Sequence, residues 1–251
     1  RNAAKARQML GDSGYELVEG ELSDRAGIAK AMAGITGLYM VTFETPEYLG
    51  FLDNVLAEAK SAGVKHIVLM PALSDENSDI PFLKIHGQME RKVKESGLDW
   101  TILHPDWFMQ NFLEEAPRKE IVFPTGPAKP SVIDVRDIAS VAVKALSEPG
   151  HHGQIYDLTG PEALTFREAV EKIAQGSGAP LTLLEPTPDE FREGGKQMGV
   201  PADYIELLID ITAPMRETTV NPPNDTVEKI LGRKPIDVVQ FAKDHKTALN
   251  A

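Results

Sequence analysis

Helix-like and strand-like segments alternate from Asp24 to Leu158, and that alternation admits few folds. The strand-like runs Ile35 to Phe43, Val64 to Met70 and Leu98 to Pro105 each follow a helical stretch closed by a glycine: Gly34, Gly63 and Gly97. They recur at roughly 25 to 30 residues, the interval of right-handed crossovers between parallel strands. Ile67-Val68-Leu69-Met70 has no polar side, as expected of a strand covered on both faces. The fold class is therefore α/β, a doubly wound parallel sheet.

Other elements are read from their punctuation. Arg1 to Leu10 is Ala-rich and helical, Tyr15 to Glu19 alternates like a short strand, and Thr45-Pro46 caps a helix running to Ala62. The polar loop from Pro71 to Pro81 follows a strand's carboxyl end, where loops carry function, and Phe82 to Ser96 makes the next helix. Glu120 to Phe123 and Ser131 to Ile133 look like short strands, Asp134 caps a helix, and Gln154 to Leu158 extends again. Thr165 with Glu168 and Thr187 with Glu190 are capping boxes, the second with proline at the first helical position. Two regions are expected: 1–160, carrying the parallel sheet, and 161–251, a smaller, mostly helical lobe covering the sheet's crevice.

In open α/β sheets ligands bind beyond the carboxyl ends of the strands, which directs attention to Asp106-Trp107-Phe108-Met109-Gln110-Asn111, directly after His104-Pro105. Trp107, Phe108, Met109 and Asn111 are candidates to meet a ligand; the alternative is that they open a buried helix. His86 and Glu90, four apart on the preceding helix, share a face, where Glu90 could orient the imidazole or raise its pKa; a solvated pair is the plainer reading.

Several functions are disfavoured. A net charge of −12 opposes binding a phosphate polymer, so nucleic acid is not expected as a partner. With no cysteine there is no disulfide, thiolate nucleophile or Cys-ligated zinc, and the six histidines are too scattered for a metal site. No Gly-x-Ser-x-Gly elbow is present, and no tyrosine has a lysine four residues on, which removes the usual short-chain dehydrogenase acid. No Gly-x-Gly-x-x-Gly follows a strand, and Gly194-Gly195 reads as a break or turn in a polar helical segment. No apolar run is long enough to span a membrane, and a cytoplasmic protein is expected.

Arg1-Asn2-Ala3-Ala4-Lys5-Ala6, Ala62 to Ile67, His86 with Glu90, Thr101 to Pro105, Phe108 to Asn111, Asp134 to Ala139 and Tyr156 to Pro161 occur in family order. Together the chain resembles the NmrA-like family of atypical short-chain dehydrogenase/reductases, which includes NAD(P)H:quinone oxidoreductases and triphenylmethane reductase. The resemblance implies an NAD(P)-binding Rossmann domain and hydride transfer to a quinone or similarly flat conjugated acceptor. It equally implies an alternative, a non-catalytic NAD(P) sensor that binds a protein partner. A sugar-nucleotide epimerase is disfavoured by the missing Tyr/Lys pair. By resemblance, Arg1 meets the 2′-phosphate of NADP, with NAD as the other option; Glu21 and Leu22 lie beside adenine, and Thr42 and Phe43 run under the cofactor. Pro71, Ala72 and Leu73 lie near the nicotinamide ribose, and His104, Pro105 and Trp107 at the nicotinamide.

His86 is then the candidate proton donor, with Glu90 beside it, and Trp107, Phe108, Met109 and Asn111 the acceptor's wall. A small-molecule acceptor is the expected partner, with a homodimer as a further expectation. The family's first strand, glycine loop, first helix and second strand would precede Arg1. The sequence is accordingly expected to be a fragment, with the Tyr15 strand separated from the Ile35 strand by two ladder positions, roughly 10 Å.

Overall fold

The computed structural model describes residues 2–11, 14–41, 47–71, 74–115, 119–217 and 221–251, apart from the side chains of 114 and 115. Its elements in order are α1 (Ala3–Leu10), α2 (Arg25–Ala31), β1 (Gly37–Val41), α3 (Glu47–Ala62), β2 (His66–Met70), α4 (Pro81–Glu95), β3 (Asp99–Pro105), α5 (Asn111–Glu115) and β4 (Glu120–Val122). There follow α6 (Val135–Ser147), β5 (Gln154–Leu158), α7 (Phe166–Ser177), β6 (Thr182–Leu184), α8 (Pro188–Gln197), α9 (Ala202–Ile211), α10 (Thr226–Leu231), α11 (Val238–Asp244) and α12 (Lys246–Leu249). None of the described helices is long and apolar enough to cross a membrane.

The main sheet has the order β1-β2-β3-β5, all parallel, with Ile102 beside Ile155 and Leu69 beside Met40. Strand alternation sends Ile67, Leu69 and Ile102 to one face, where they pack with Leu52 and Val55 of α3 and Met89 and Val93 of α4. Val68, Leu103 and Leu158 take the other face with Ile138, Val141 and Ala145 of α6 and Val227 of α10. Both faces are thus covered, as the wholly apolar β2 requires. A third core around Trp107, Phe112, Phe123, Phe166 and Phe241 draws on 107–132 as well as the later helices, and its two-stranded sheet pairs β4 with β6.

Some sequence expectations change. Tyr15 to Glu19 is not a strand, because β1 offers it no ladder: β1 pairs only with β2 among the described residues. Ser131 to Ile133 reduces to one bridge, Phe108 to Ile133. Gly194-Gly195 does not break the chain but lies inside α8, which is started by the Thr187/Glu190 capping box and Pro188. Thr45-Pro46 lies outside the described residues.

Candidate active site

The segment leaving β3 is fixed from several sides. Asp106 donates its N–H to Leu158 O (2.9 Å), Ile133 donates to Trp107 O (2.9 Å), and Met109 donates to Ile133 O (2.8 Å). The Asp106 carboxylate accepts from the N–H groups of Trp107 and Ser131 and from Asn221 Nδ2, each at 2.7 Å. It thereby ties the strand end to two remote segments. Burial is the larger influence on this carboxyl and holds its pKa above the usual carboxylate range despite the three donors. Asp106→Asn would turn an amide N–H toward these donors, so it is expected to lower stability by about 2 kcal/mol. Thermal melting of the variant checks this, and an unchanged midpoint counts against the anchor.

Above this segment lies a cavity of about 750 Å³. Pro105, Asp106, Trp107, Phe108 and Asn111 form one part of its wall, Phe82 and Leu83 of α4 another, and Phe191 of α8, Met198 just after it, and Tyr204 and Leu208 of α9 a third. Trp107 stands edge-on to Phe123 and Phe166, with ring centroids 5.4 and 5.1 Å away, so its indole is held by the lobe core. Among the described residues the lining includes three carboxylates, Asp106, Glu120 and Glu190, and no lysine, arginine or histidine.

The sequence candidates divide on inspection. Trp107, Phe108, Pro105 and Asn111 share the cavity wall. Met109 does not line it; the residue is fully buried in the lobe core with Phe112 and Phe166, because the segment pinned to Ile133 turns its side chain inward. The His86/Glu90 pair is also corrected. His86 Nδ1 faces Phe82 O at 2.8 Å, its ring packs edge-on to Phe82, and its Nε2 is buried with no partner among the described residues. Burial lowers its pKa, outweighing that backbone bond and the Glu90 charge, so the ring is neutral near pH 7.

Glu90 turns instead to His104 and is almost wholly buried. Its Oε1 lies 2.6 Å from His104 Nε2 and also accepts from Ser74 Oγ, while its Oε2 accepts from Lys94 Nζ at 2.9 Å. Burial opposes the charge, but these donors prevail and hold the Glu90 carboxyl down to about 2. For His104 burial again opposes charge, yet Glu90, with Asp157 Oδ1 at 3.3 Å from Nδ1, raises the pKa above the ordinary imidazole value. This cluster clamps α4, the loop after β2 and the end of β3 together, just beside the cavity.

Of the remaining candidates, Pro71 is buried at the end of β2, Leu22 is half-buried against the core shared by α3 and α4, and Glu21 is exposed. Arg1, Thr42, Phe43, Ala72 and Leu73 lie outside the described residues. Sequence reasoning did not single out Asp106, Ser74, or the α8 and α9 side chains. A charged residue wedged between Pro105 and Trp107 at a strand end is the one signal that could have found Asp106.

Strand ends opening toward an apolar cavity are the arrangement of the dinucleotide-binding α/β class. The chain belongs to the NAD(P)H-binding family, whose model matches residues 1–149, and within it to the NmrA-like proteins. An NAD(P)H azoreductase of Xenophilus azovorans is 33% identical over 256 residues, covering 100% of this chain and 89% of the relative. The NADPH-dependent quinone oxidoreductase QOR2 of Escherichia coli, solved with NADPH, matches with a TM-score of 0.83 at 25% identity, over 97% of this chain and 88% of that one. The Citrobacter triphenylmethane reductase, solved with NADP(H), shares the fold with a TM-score of 0.80 at 22% identity, over 96% and 87% of the two chains. The protein is thus an NAD(P)H-dependent oxidoreductase by family.

Proposed function

We propose that the protein reduces a quinone or similarly flat, conjugated acceptor, with NADPH preferred over NADH as donor. The carrying observation is the cavity of about 750 Å³, apolar and aromatic in most of its lining, directly beyond the end of β3. Pro105 and Trp107 give the strand end apolar surface, and the Asp106 carboxyl between them is engaged by Trp107, Ser131 and Asn221, which suits a flat uncharged ring, so the described residues fit the nicotinamide end of the nucleotide. When bound, that nucleotide supplies the hydride. The chain's own part is positioning and exclusion of water: Trp107 and Phe108 offer the acceptor a flat apolar wall, and α8 and α9 roof it.

Among the described residues no lining side chain is a cation and three are carboxylates, which favours neutral or cationic acceptors over sulfonated or carboxylated ones. Among the described lining residues there is no histidine, so the hydroquinone oxygen takes its proton from solvent in this reading. So large an apolar cavity supports a substrate-binding role over a purely sensory one.

Steady-state oxidation of NADPH by a panel of quinones, measured on the intact protein, tests this. Turnover is expected with neutral two- and three-ring quinones, at lower kcat/KM with their sulfonates and with NADH in place of NADPH. Trp107→Ala should lower kcat/KM about tenfold or more by removing the wall. Tight NADPH binding with no turnover of any acceptor rejects the reductase reading.

A further inference from the structure

Two adjacent glycines occupy the cavity side of α8, and they are there for different reasons. At Gly195 a Cβ would lie 2.7 Å from Ile205 Cδ1 and 2.9 Å from its Cγ1, so that glycine lets α8 pack against α9. At Gly194 a Cβ would meet nothing within 4 Å among the described residues, and its backbone is not in the left-handed region. Neither packing nor backbone conformation demands glycine there, and helix interiors disfavour it relative to alanine. What Gly194 does is line the cavity. It stands three residues after Phe191 and four before Met198, both of which also line it, so a side chain at 194 would project from the same face.

We propose that Gly194 is a specificity-determining position: its missing side chain leaves room in the cavity for the outer ring of a polycyclic acceptor. The inference rests on the reductase reading for its substrate class, but it is a statement about space and is testable by binding alone. A side chain introduced here has open volume to enter, so it takes length from the cavity without distorting α8.

The test compares wild type with Gly194→Ala and Gly194→Leu, using 1,4-benzoquinone as the small ligand and anthraquinone as the three-ring ligand. Binding is read by quenching of tryptophan fluorescence, since Trp107 lines the cavity, and turnover by NADPH oxidation. Gly194→Leu should lower the anthraquinone to benzoquinone ratio of kcat/KM, and of affinity, by about tenfold. Gly194→Ala should change the ratio less and raise the melting temperature by about 2 °C, the sign that helix geometry did not require glycine. An unchanged ratio in Gly194→Leu overturns the inference, as does an equal loss for both ligands. A wild type that binds both quinones but reduces neither overturns the reductase reading instead, and the affinity ratio then decides the role of Gly194.

Discussion

Gly160→Ala is expected to destabilise the protein by about 3 kcal/mol or more, a fall of roughly 10 °C in melting temperature for a chain of this size. A Cβ at this position would lie 1.9 Å from the carbonyl oxygen of Val132, a backbone atom that cannot swing aside. The contact exists because the chain leaving β5 crosses 131–132 closely enough for Gly160 N–H to bond Ser131 O at 2.9 Å. Ser131 also donates its own N–H to Asp106 and its hydroxyl to Asn221 O, so the crossing sits at the centre of the network that fixes the cavity wall. Prising it apart should therefore lower kcat/KM as well as stability. Gly50→Ala is the control: it lies exposed in α3 with open space around a Cβ, and alanine there should gain about 0.5–1 kcal/mol. Urea or thermal denaturation of both variants decides the matter; a Gly160→Ala protein melting within 2 °C or so of wild type would show that the crossing can relax.

What could be read beforehand was whatever is encoded locally. Asp134, Thr165 and Thr187 each cap the helix their position announced, and Gly34, Gly63 and Gly97 take positive φ after α2, α3 and α4. The apolar runs became β1, β2 and β3: β2 and β3 supply side chains to the cores on both faces of the sheet, whereas β1 gives Leu38 and Met40 to one face and leaves Tyr39 and Val41 exposed on the other. Tyr15 to Glu19 alternates just as well, but alternation only permits a strand, and a ladder needs a neighbour. Likewise the spacing of His86 and Glu90 correctly put them on one side of α4, yet it could not tell that His104 and Ser74 would present donors to Glu90. Gly194-Gly195 was misjudged because propensity was weighed without the tertiary contact: Arg192 bridges from α8 to Glu206 of α9 at 2.6 Å, and the two helices support each other. Placing the cavity wall after His104-Pro105 needed only the rule for open parallel sheets. Its roof could not be read, since Phe191, Met198 and Tyr204 show no more than the amphipathic pattern of any surface helix.

Replacing Glu90 by glutamine should cost about 3 kcal/mol near pH 6, and the size of the loss should depend on pH in a way that identifies its origin. Glu90 is held down to about 2 in the folded state, below its ordinary value. Its contribution is therefore complete above the ordinary carboxylate range, about pH 4.5, and is lost as the pH falls toward 2. His104 is shifted the other way, above its ordinary value, so its contribution is complete below about pH 6.5 and is lost as the pH rises through the raised folded value. The stability gap between wild type and Glu90→Gln should accordingly be widest between about pH 4.5 and 6.5 and narrow on both sides. On the alkaline side it should not close, because Lys94 and Ser74 still donate to the carboxylate when the imidazole is neutral. Urea denaturation at pH 4, 6 and 9 gives the three points, and a double-mutant cycle with His104→Gln isolates the pair. A gap of equal size at pH 6 and pH 9, or no coupling in the cycle, would mean that the imidazole is not what holds this buried carboxylate.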